Sequence, residues 1–251
     1  PIDINDIIDN IKALREELKP FRNPDTSLVI HKALKAGKKV LFEGAQGTLL
    51  DLFHGTYPFV TSSSTISGSA CIGSGVGPCE IDKVIGITKA YATRVGEGPF
   101  PTELFNQTGD LLQQKGKEFG ATTGRKRRCG WLDLVALRYA IRINGITHLA
   151  MMKLDVLSGM DEVGVCVAYE LNGETIFDMP TSYAQLSKVK PIIKMFSGWN
   201  ENLEKITDIR DLPINSRRFM DFINSETGLP IDMISIGPGR EQTLWAKPLF
   251  S

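Results

Sequence analysis

Four cations stand next to one another in a stretch that could bind a small anion. Residues 122–128 are two threonines, a glycine and then Arg125, Lys126, Arg127 and Arg128. Arginine forks bind carboxylate and phosphate through two parallel hydrogen bonds. A solvated basic loop or a nucleic-acid surface would show the same pattern. A nucleic-acid surface usually carries further basic clusters and stacking aromatics, whereas this chain has a formal net charge of +0, so we favour a small anionic ligand.

The triplet Lys153, Leu154 and Asp155 places a carboxylate at the end of a short apolar segment. Ligands of α/β proteins bind outside the carboxyl ends of the sheet strands, and the apolar segment is predicted to be such a strand. The Asp155 carboxylate could accept two hydrogen bonds there, from N1–H and the exocyclic amine of guanine, with the Lys153 stem over the ring. A plain surface turn would explain the same triplet, so that alternative stays open.

Two further loops combine glycine with groups that can hydrogen-bond a ligand. Residues 43–48 place Gln46 between glycines after a predicted strand, and its amide offers both a donor and an acceptor. Residues 235–240 begin with Ser235, Ile236 and Gly237 after another predicted strand, where free backbone groups suit a base or a sugar. Each pattern also fits an ordinary turn, because short glycine motifs often match by chance.

Hydrophobic periodicity and turn residues predict the elements that must position these loops. Apolar residues at helical spacing predict helices at 2–18, 26–35, 81–89, 131–143 and 216–226. Short apolar runs predict strands at 39–43, 90–95, 149–154, 231–236 and 242–247. Asn172 and Gly173 predict an antiparallel hairpin within 163–179. Together they predict an α/β fold with a mainly parallel central sheet flanked by helices, in a single domain over residues 1–251.

Composition narrows the class of protein. The chain has 251 residues, of which 42% are hydrophobic and 23% charged, which is typical of a soluble globular protein with a large core. No apolar run approaches the ~18 residues of a membrane span. We therefore expect no signal peptide and no membrane or nucleic-acid partner. The four cysteines show no CxxC spacing, which is typical of reduced thiols in the cytoplasm.

In order along the chain, these segments resemble one family of enzymes, the adenylosuccinate synthetases. The resemblance covers nearly the whole chain, and ordered motifs of this length make coincidence improbable. The motifs are EGAQGTLLD (43–51), HGTYP (54–58), VTSS (60–63), TRVGEGPFPTEL (93–104), GATTGR (120–125), KLDVL (153–157) and SIGP (235–238).

The resemblance implies three ligands and a set of contacts for each. The residues implied for IMP are Gln46, Thr61, the main chain of Val95, and Arg125. Those implied for L-aspartate are Ala121, Thr122, Thr123, Arg125 and Arg127. Those implied for GTP are Arg127, Lys153, Leu154, Asp155, Ser235, Ile236 and Gly237.

The resemblance also implies a two-step reaction. The 6-oxygen of IMP attacks the γ-phosphate of GTP to give 6-phosphoryl-IMP, and the aspartate amine then displaces phosphate, in the biosynthesis of AMP. Gln46 would act as a catalytic residue by hydrogen-bonding the charge that develops at the 6-position. Phosphoryl transfer depends mainly on positioning and charge neutralisation.

One departure from the family is plain. The family begins with a glycine-rich phosphate loop that supplies a catalytic aspartate and a Mg²⁺ ligand, and this sequence contains no such loop. We therefore expect a central and C-terminal portion of the enzyme, an incomplete sheet, Mg²⁺ ligands outside this chain, no synthetase activity from this chain alone, and a homodimer in the full-length form. The alternatives are a non-catalytic guanine-nucleotide-binding module and a nucleic-acid binder acting through Arg125–Arg128.

Overall fold

The computed structural model describes residues 2–120 and 124–248, so the predicted aspartate residues Ala121, Thr122 and Thr123 lie outside the described part of the chain. The described part contains seven α-helices: α1 (Ile4–Leu18), α2 (Thr26–Lys35), α3 (Ser69–Ser74), α4 (Gln107–Lys115), α5 (Leu134–Asn144), α6 (Tyr183–Leu186) and α7 (Ile214–Thr227). Its ten strands are β1 (Ile85–Lys89), β2 (Ala92–Arg94), β3 (Arg128–Gly130), β4 (Leu132–Asp133), β5 (His148–Met152), β6 (Glu162–Leu171), β7 (Glu174–Ile176), β8 (Lys190–Ser197), β9 (Ile231–Ser235) and β10 (Thr243–Trp245).

The chain divides into two compact units, and the first holds α1, α2 and α3. It comprises Pro1–Glu43 and Gly68–Glu80. Aspartates cap both longer helices: Asp3 accepts a hydrogen bond from the Asn5 amide, and Asp25 accepts one from the Leu28 amide. Such caps satisfy amides that have no partner within the helix. The prediction of one domain over 1–251 stays a prediction.

The second unit, Gly44–Ser67 with Ile81–Ser251, is built on a four-stranded sheet in the order β1-β5-β9-β10. The first three strands are parallel to one another, and β10 is antiparallel at the edge. Parallel strands share the same direction, so their carboxyl ends meet at one edge of the sheet. The residues at or just after these ends are Lys89, Lys153 and Ser235. The prediction of an α/β fold with a mainly parallel sheet is confirmed.

A second sheet of the same unit surrounds β6. Strand β4 pairs with β6 in parallel, and β7 and β8 pair with it antiparallel. The predicted hairpin is confirmed as β6 and β7, which join at Asn172 and Gly173 with φ angles of 55° and 85°. Both angles lie in the left-handed region that a type I′ turn requires, which is why Asn-Gly suits this turn.

Two helices of the second unit, α5 and α7, end within one residue of the predicted positions, whereas α4 and α6 were not predicted. Helix α5 begins later than predicted, at Leu134, because Leu132–Asp133 forms β4. Asp133 caps α5 by accepting hydrogen bonds from the Val135 and Ala136 amides, and Gly145 closes this helix with a φ of 60°. Gly228 closes α7 with a φ of 68°. Left-handed glycines end helices because they carry no Cβ to clash. The apolar faces of these helices and of the central sheet share one core, whose fully buried members include Leu134, Leu149, Met151, Leu154, Phe219, Ile223 and Ile234.

Two predicted elements are wrong. Residues 81–89 are not a helix, because Ile85–Lys89 forms β1 and pairs with β5. The β-branched residues of that stretch fit a pleated sheet, and tertiary pairing overrode the helical spacing. Residues 39–43 are not a buried strand: Leu41 is 74% exposed, and the stretch lies outside every strand of the described part. An apolar run forms a strand only where a neighbouring strand accepts its hydrogen bonds.

Among the helices in residues 2–120 and 124–248, none combines the length and the apolar character needed to cross a bilayer.

Candidate functional site

The carboxyl edge of the parallel strands brings together two ligand residues predicted from separate parts of the sequence, Lys153 and Ser235, with Lys89, which was not predicted. Strand β1 ends at Lys89, Lys153 follows β5, and Ser235 ends β9. Lys153 has a φ of 63°, so the chain turns sharply at this point into the short helical turn Leu154–Leu157. A non-glycine residue with positive φ is uncommon and strained, and such residues concentrate at functional sites.

A buried carboxylate lies at the centre of this edge. Glu118, whose side chain is 0% exposed, accepts hydrogen bonds at Oε1 from Lys89 Nζ at 2.8 Å, the Tyr91 hydroxyl at 2.6 Å and Lys153 Nζ at 2.9 Å. Its Oε2 atom accepts from Nη1 of Arg127 at 2.9 Å. These five side chains are called the Glu118 cluster below. The cluster joins Lys153, predicted for GTP, to Arg127, predicted for aspartate and GTP.

The donors around Glu118 explain why its carboxyl group is ionised. Burial alone would raise the pKa of this carboxyl group. Hydrogen bonds from Lys89, Tyr91 and Lys153 outweigh burial and lower the pKa of Glu118 to about 2. Burial lowers the pKa of Lys89, although the Glu118 carboxylate opposes this effect. Three cations thus surround one anion, and the cluster carries a net positive charge that suits an anionic ligand.

Next to the cluster, Asp155 lines a cavity of about 300 Å³. Its Oδ1 atom is buried and has no hydrogen-bond partner in the described part of the chain. Burial raises the pKa of Asp155 above its ordinary value of 3.8. A buried acceptor without a partner is costly, so a ligand that donates to this carboxylate would relieve the cost. The other residues lining the cavity are Lys115, Ser158, Gly159, Asn200, Glu201, Asn202, Leu203, Glu204, Ile236, Gly237, Pro238 and Gln242.

The loop after β9 forms one wall of this cavity and is held by its own hydrogen bonds. The Ser235 hydroxyl donates to the Gly237 carbonyl at 2.8 Å, and the buried Ile236 donates its amide to the Gln242 carbonyl at 2.9 Å. The side chain of Gln242 accepts from the Gly239 amide at 2.9 Å. A Cβ at Gly237 would lie 2.3 Å from Gln242 Oε1, so a larger residue at this position would displace the end of the Gln242 side chain.

Gln46 lies in a different loop of the same unit. It is exposed and has a φ of 62°, in the left-handed region. Thr61, also predicted for IMP, is partly buried, and its amide donates to the Leu50 carbonyl at 2.8 Å. The strained Gln46 backbone presents its amide side chain to solvent beside two flexible glycines, Gly44 and Gly47.

Asp51 is the buried centre of the Gln46 loop. Its Oδ1 atom accepts hydrogen bonds from the Phe53 and His54 amides, each at 2.9 Å. Its Oδ2 atom accepts from the Ser64 hydroxyl at 2.8 Å and the Thr65 amide at 2.6 Å. Burial acts to raise the pKa of Asp51, but these donors outweigh it and hold the pKa well below its usual range. Donors from the protein itself therefore set the shape of this loop.

Two residues of α5 fasten the same loop to the fold. Asn144 donates to the Thr48 hydroxyl at 2.9 Å and accepts from the Ser67 amide at 2.8 Å. The Tyr139 hydroxyl donates to the His54 carbonyl at 2.7 Å. These contacts hold both ends of the Gln46 loop on one helix.

The remaining predicted residues surround β2 and β3. Val95 is 50% exposed and directly follows β2, where Arg94 donates to the Thr56 hydroxyl at 2.9 Å. Arg125 is exposed, and its carbonyl accepts from the Gly120 amide at 2.8 Å. Arg128 forms a two-point ion pair with Glu103. Internal pairs thus occupy Arg127 and Arg128, two of the four adjacent cations.

The sequence prediction missed several residues that organise this site. Glu118, Lys89, Asp51 and the cavity wall at 200–204 were not predicted. The signal available for Glu118 was a lone acid shortly before a basic run, and such a pair is too common to single out. Leu154 is fully buried in the core, so its side chain contributes packing there.

The described residues do not form a Mg²⁺ site. No group of three or more histidine, cysteine, aspartate or glutamate side chains lies together within 2–120 and 124–248. The buried carboxylates of Asp51 and Glu118 accept hydrogen bonds from amides, hydroxyls or cations, and these donor sets do not fit an oxygen-ligated metal.

Comparisons with known proteins agree with one another. The family model described as adenylosuccinate synthetase matches residues 1–244. The adenylosuccinate synthetase of Bdellovibrio bacteriovorus is 61% identical over 247 residues, which cover 98% of this chain and 57% of the relative. That of Desulforapulum autotrophicum is 51% identical, covering 99% of this chain and 58% of the relative.

A solved structure extends the similarity to three dimensions. The fully ligated adenylosuccinate synthetase from Plasmodium falciparum matches with a TM-score of 0.95 and 37% identity, covering 98% of this chain and 59% of that one. This chain therefore spans little more than half the length of the relatives it matches. With a family model matched over 244 residues and the same fold at this score, the chain belongs to the adenylosuccinate synthetase family.

Proposed function

We propose that this chain provides the nucleotide-binding portion of a GTP-dependent carbon–nitrogen ligase, adenylosuccinate synthase, which joins IMP and L-aspartate through 6-phosphoryl-IMP in AMP biosynthesis. The observation that carries the proposal is the carboxyl edge of the parallel sheet. There, Lys153 and Arg127 meet at Glu118, and Asp155 lines a cavity beside them.

Guanine recognition is assigned to Asp155. Its buried Oδ1 atom has no partner in the described part of the chain, and the residue lines a cavity of about 300 Å³, a volume at the lower end of small-molecule sites. N1–H and the exocyclic amine of guanine would supply two donors to the carboxylate. Adenine presents an unprotonated N1 and would leave that acceptor unpaired, so the same group would select against it.

Phosphate and aspartate recognition is assigned to the cationic residues. The Arg127 side chain is 31% exposed, which leaves part of it open to an anionic ligand. Fixed positive charge stabilises the charge that spreads over a transferring phosphoryl group. Gln46 is assigned to the 6-position of IMP, with Thr61, the Val95 main chain and Arg125 as further IMP contacts. Ala121, Thr122, Thr123 and Arg125 are assigned to aspartate.

Several wider properties belong to the same proposal. We expect Mg²⁺ as the metal cofactor, a homodimer for the full-length form, and a cytoplasmic location, for which the four free cysteines are the supporting observation. We expect no nucleic-acid partner, and the internal ion pairs of Arg127 and Arg128 favour this expectation.

The test is an intact-mass measurement of the native protein together with a turnover assay that requires GTP, IMP and aspartate. Turnover that stops when any one substrate is omitted, or when ATP replaces GTP, supports the proposal. The 251-residue chain assayed alone is expected to be inactive. Binding of GTP by the native protein without turnover would favour a non-catalytic guanine-nucleotide module. Oligonucleotide binding that weakens steeply with salt would favour the nucleic-acid reading.

A further inference from the structure

Three segments assigned to different ligands meet at one carboxylate. Lys89 and Tyr91 precede the IMP residue Val95, Arg127 belongs to the aspartate loop, and Lys153 begins the guanine segment. All four side chains donate to Glu118 over distances of 2.6–2.9 Å.

In the Glu118 cluster, the carboxylate lies behind cations that are open to a ligand. Glu118 is 0% exposed, whereas the side chains of Lys89, Arg127 and Lys153 are 24%, 31% and 34% exposed. The cations thus face outward while the anion lies beneath them. Four side-chain donors occupy both carboxylate oxygens, so Glu118 is committed to orienting its partners.

Backbone contacts connect the same residue to the base of the aspartate loop. The Arg127 amide donates to the Glu118 carbonyl at 2.9 Å, and Phe119 forms a bridge with Lys126. On the other side, Lys153 Nζ also donates to the Gly116 carbonyl. A displacement of the Glu118 carboxylate would therefore move the side chains of Arg127 and Lys153 together.

We infer that Glu118 is a positioning residue that sets Lys153 for the guanine nucleotide and Arg127 for aspartate from one point, so that binding of the two substrates depends on the same side chain. This inference rests on the proposed function. Without the negative charge of Glu118, the three cations would repel one another, and each would swing out of place.

The test compares variants of the native full-length enzyme in steady-state kinetics. Glu118→Gln is expected to raise the KM for both GTP and aspartate by about tenfold or more, the order of one hydrogen bond to a charged group. Lys153→Met is expected to raise the KM for GTP alone. Glu118→Asp keeps the charge on a shorter stem and should recover part of both losses. A rise in only one KM with Glu118→Gln, or a fall in kcat with both KM values unchanged, would overturn the inference.

The matched control is Glu103→Gln, which breaks another partly buried glutamate–arginine pair, with Arg128. It is expected to lower thermal stability while both KM values stay within about twofold. Equal KM shifts in this variant would show that any lost ion pair produces the effect, and would overturn the inference. If Glu118→Gln does not fold, Glu118→Asp decides the question, with a partial rise in both KM values expected and a rise in one contradicting it.

A second measurement needs no turnover and so separates the inference from the proposed function. The Lys89 amine faces Glu118, Lys153, Arg127 and the Tyr91 ring, and it donates to the Thr93 hydroxyl. Competitive acetylation across pH 7–10, followed by peptide mass spectrometry, reports how readily this amine loses its proton. In Glu118→Gln it should become reactive at lower pH than in wild type and in Glu103→Gln. If the wild-type enzyme shows no turnover, only the proposed function is refuted. If Lys89 labelling in Glu118→Gln is the same as in wild type, the role of Glu118 is refuted.

Discussion

The amide of Thr65 donates a hydrogen bond to Oδ2 of Asp51 at 2.6 Å, across a gap of fourteen residues. Further donors at Phe53, His54 and Ser64 complete the shell of this buried carboxylate. The shape of the Gln46 loop is therefore set from inside by one anion, which connects stability in this region to the ionisation of Asp51.

Replacement of that anion should destabilise the fold in a pH-dependent way. The folded-state pKa of Asp51 lies below its ordinary value of 3.8, so its contribution is complete above about pH 5 and is lost as pH falls through the acidic range. Asp51→Asn should lower the free energy of unfolding at pH 7 by about 3 kcal/mol, and by about 1 kcal/mol less at pH 3, where the folded-state carboxylate is still ionised. Urea unfolding at both pH values measures this, with the exposed Asp82→Asn as control. An equal loss at both pH values would contradict the prediction.

Asp155→Asn should change the nucleotide preference of the enzyme without lowering its stability. The amide replaces an acceptor with a donor at one oxygen position, so the KM for GTP should rise about 100-fold, from two hydrogen bonds to a charged group. Xanthosine triphosphate, which carries an acceptor in place of the exocyclic amine, should become the better substrate. Because burial raises the pKa of Asp155, removing its charge should leave ligand-free stability unchanged or slightly higher. The exposed Asp221→Asn should change neither property, and unaltered nucleotide preference in Asp155→Asn would contradict the assignment.

Gln46→Gly should lower the activity of the enzyme and raise its stability. The φ of 62° costs a non-glycine residue roughly 1 kcal/mol, so glycine should raise the free energy of unfolding by up to that amount. Loss of the side-chain amide should lower kcat by about 100-fold. Gln46→Ala is the matched variant: it removes the amide but keeps the backbone strain, so it should lose activity without gaining stability. Normal turnover in either variant would remove Gln46 from the catalytic assignment.

Gly198→Ala should be strongly destabilising for a purely steric reason. A Cβ at Gly198 would lie 1.7 Å from the Met160 carbonyl oxygen, and backbone cannot move aside as a flexible side chain can. We expect a loss of about 3 kcal/mol, at the upper end for overpacking. Gly73→Ala in α3 is the control, since no atom lies within 4 Å of the added Cβ, and it should be neutral or slightly stabilising. Thermal unfolding of the two variants decides the matter, and equal midpoints would be the contrary result.

Local sequence patterns were sufficient to predict much of the fold. Periodic apolar residues and the turn residues that follow them predicted α1, α2, α5 and α7, and the turn chemistry of Asn172 and Gly173 predicted the hairpin. These features succeed because helix periodicity and turn dihedral angles depend on residues close together in the chain. The predictions for residues 81–89 and 39–43 failed because a short apolar run takes its conformation from its neighbours in space.

For the candidate site, the sequence by itself determined which residue types were available: the basic run at 125–128, the Lys153–Asp155 triplet and the glycine loops. Only the tertiary structure decided which of them meet. Asp155 and Gly237 line one cavity, and Lys153 and Arg127 share Glu118. The physical reason is that parallel strands distant in sequence end at one edge of the sheet, and the buried carboxylate between their ends gathers the cations that local pattern could not connect.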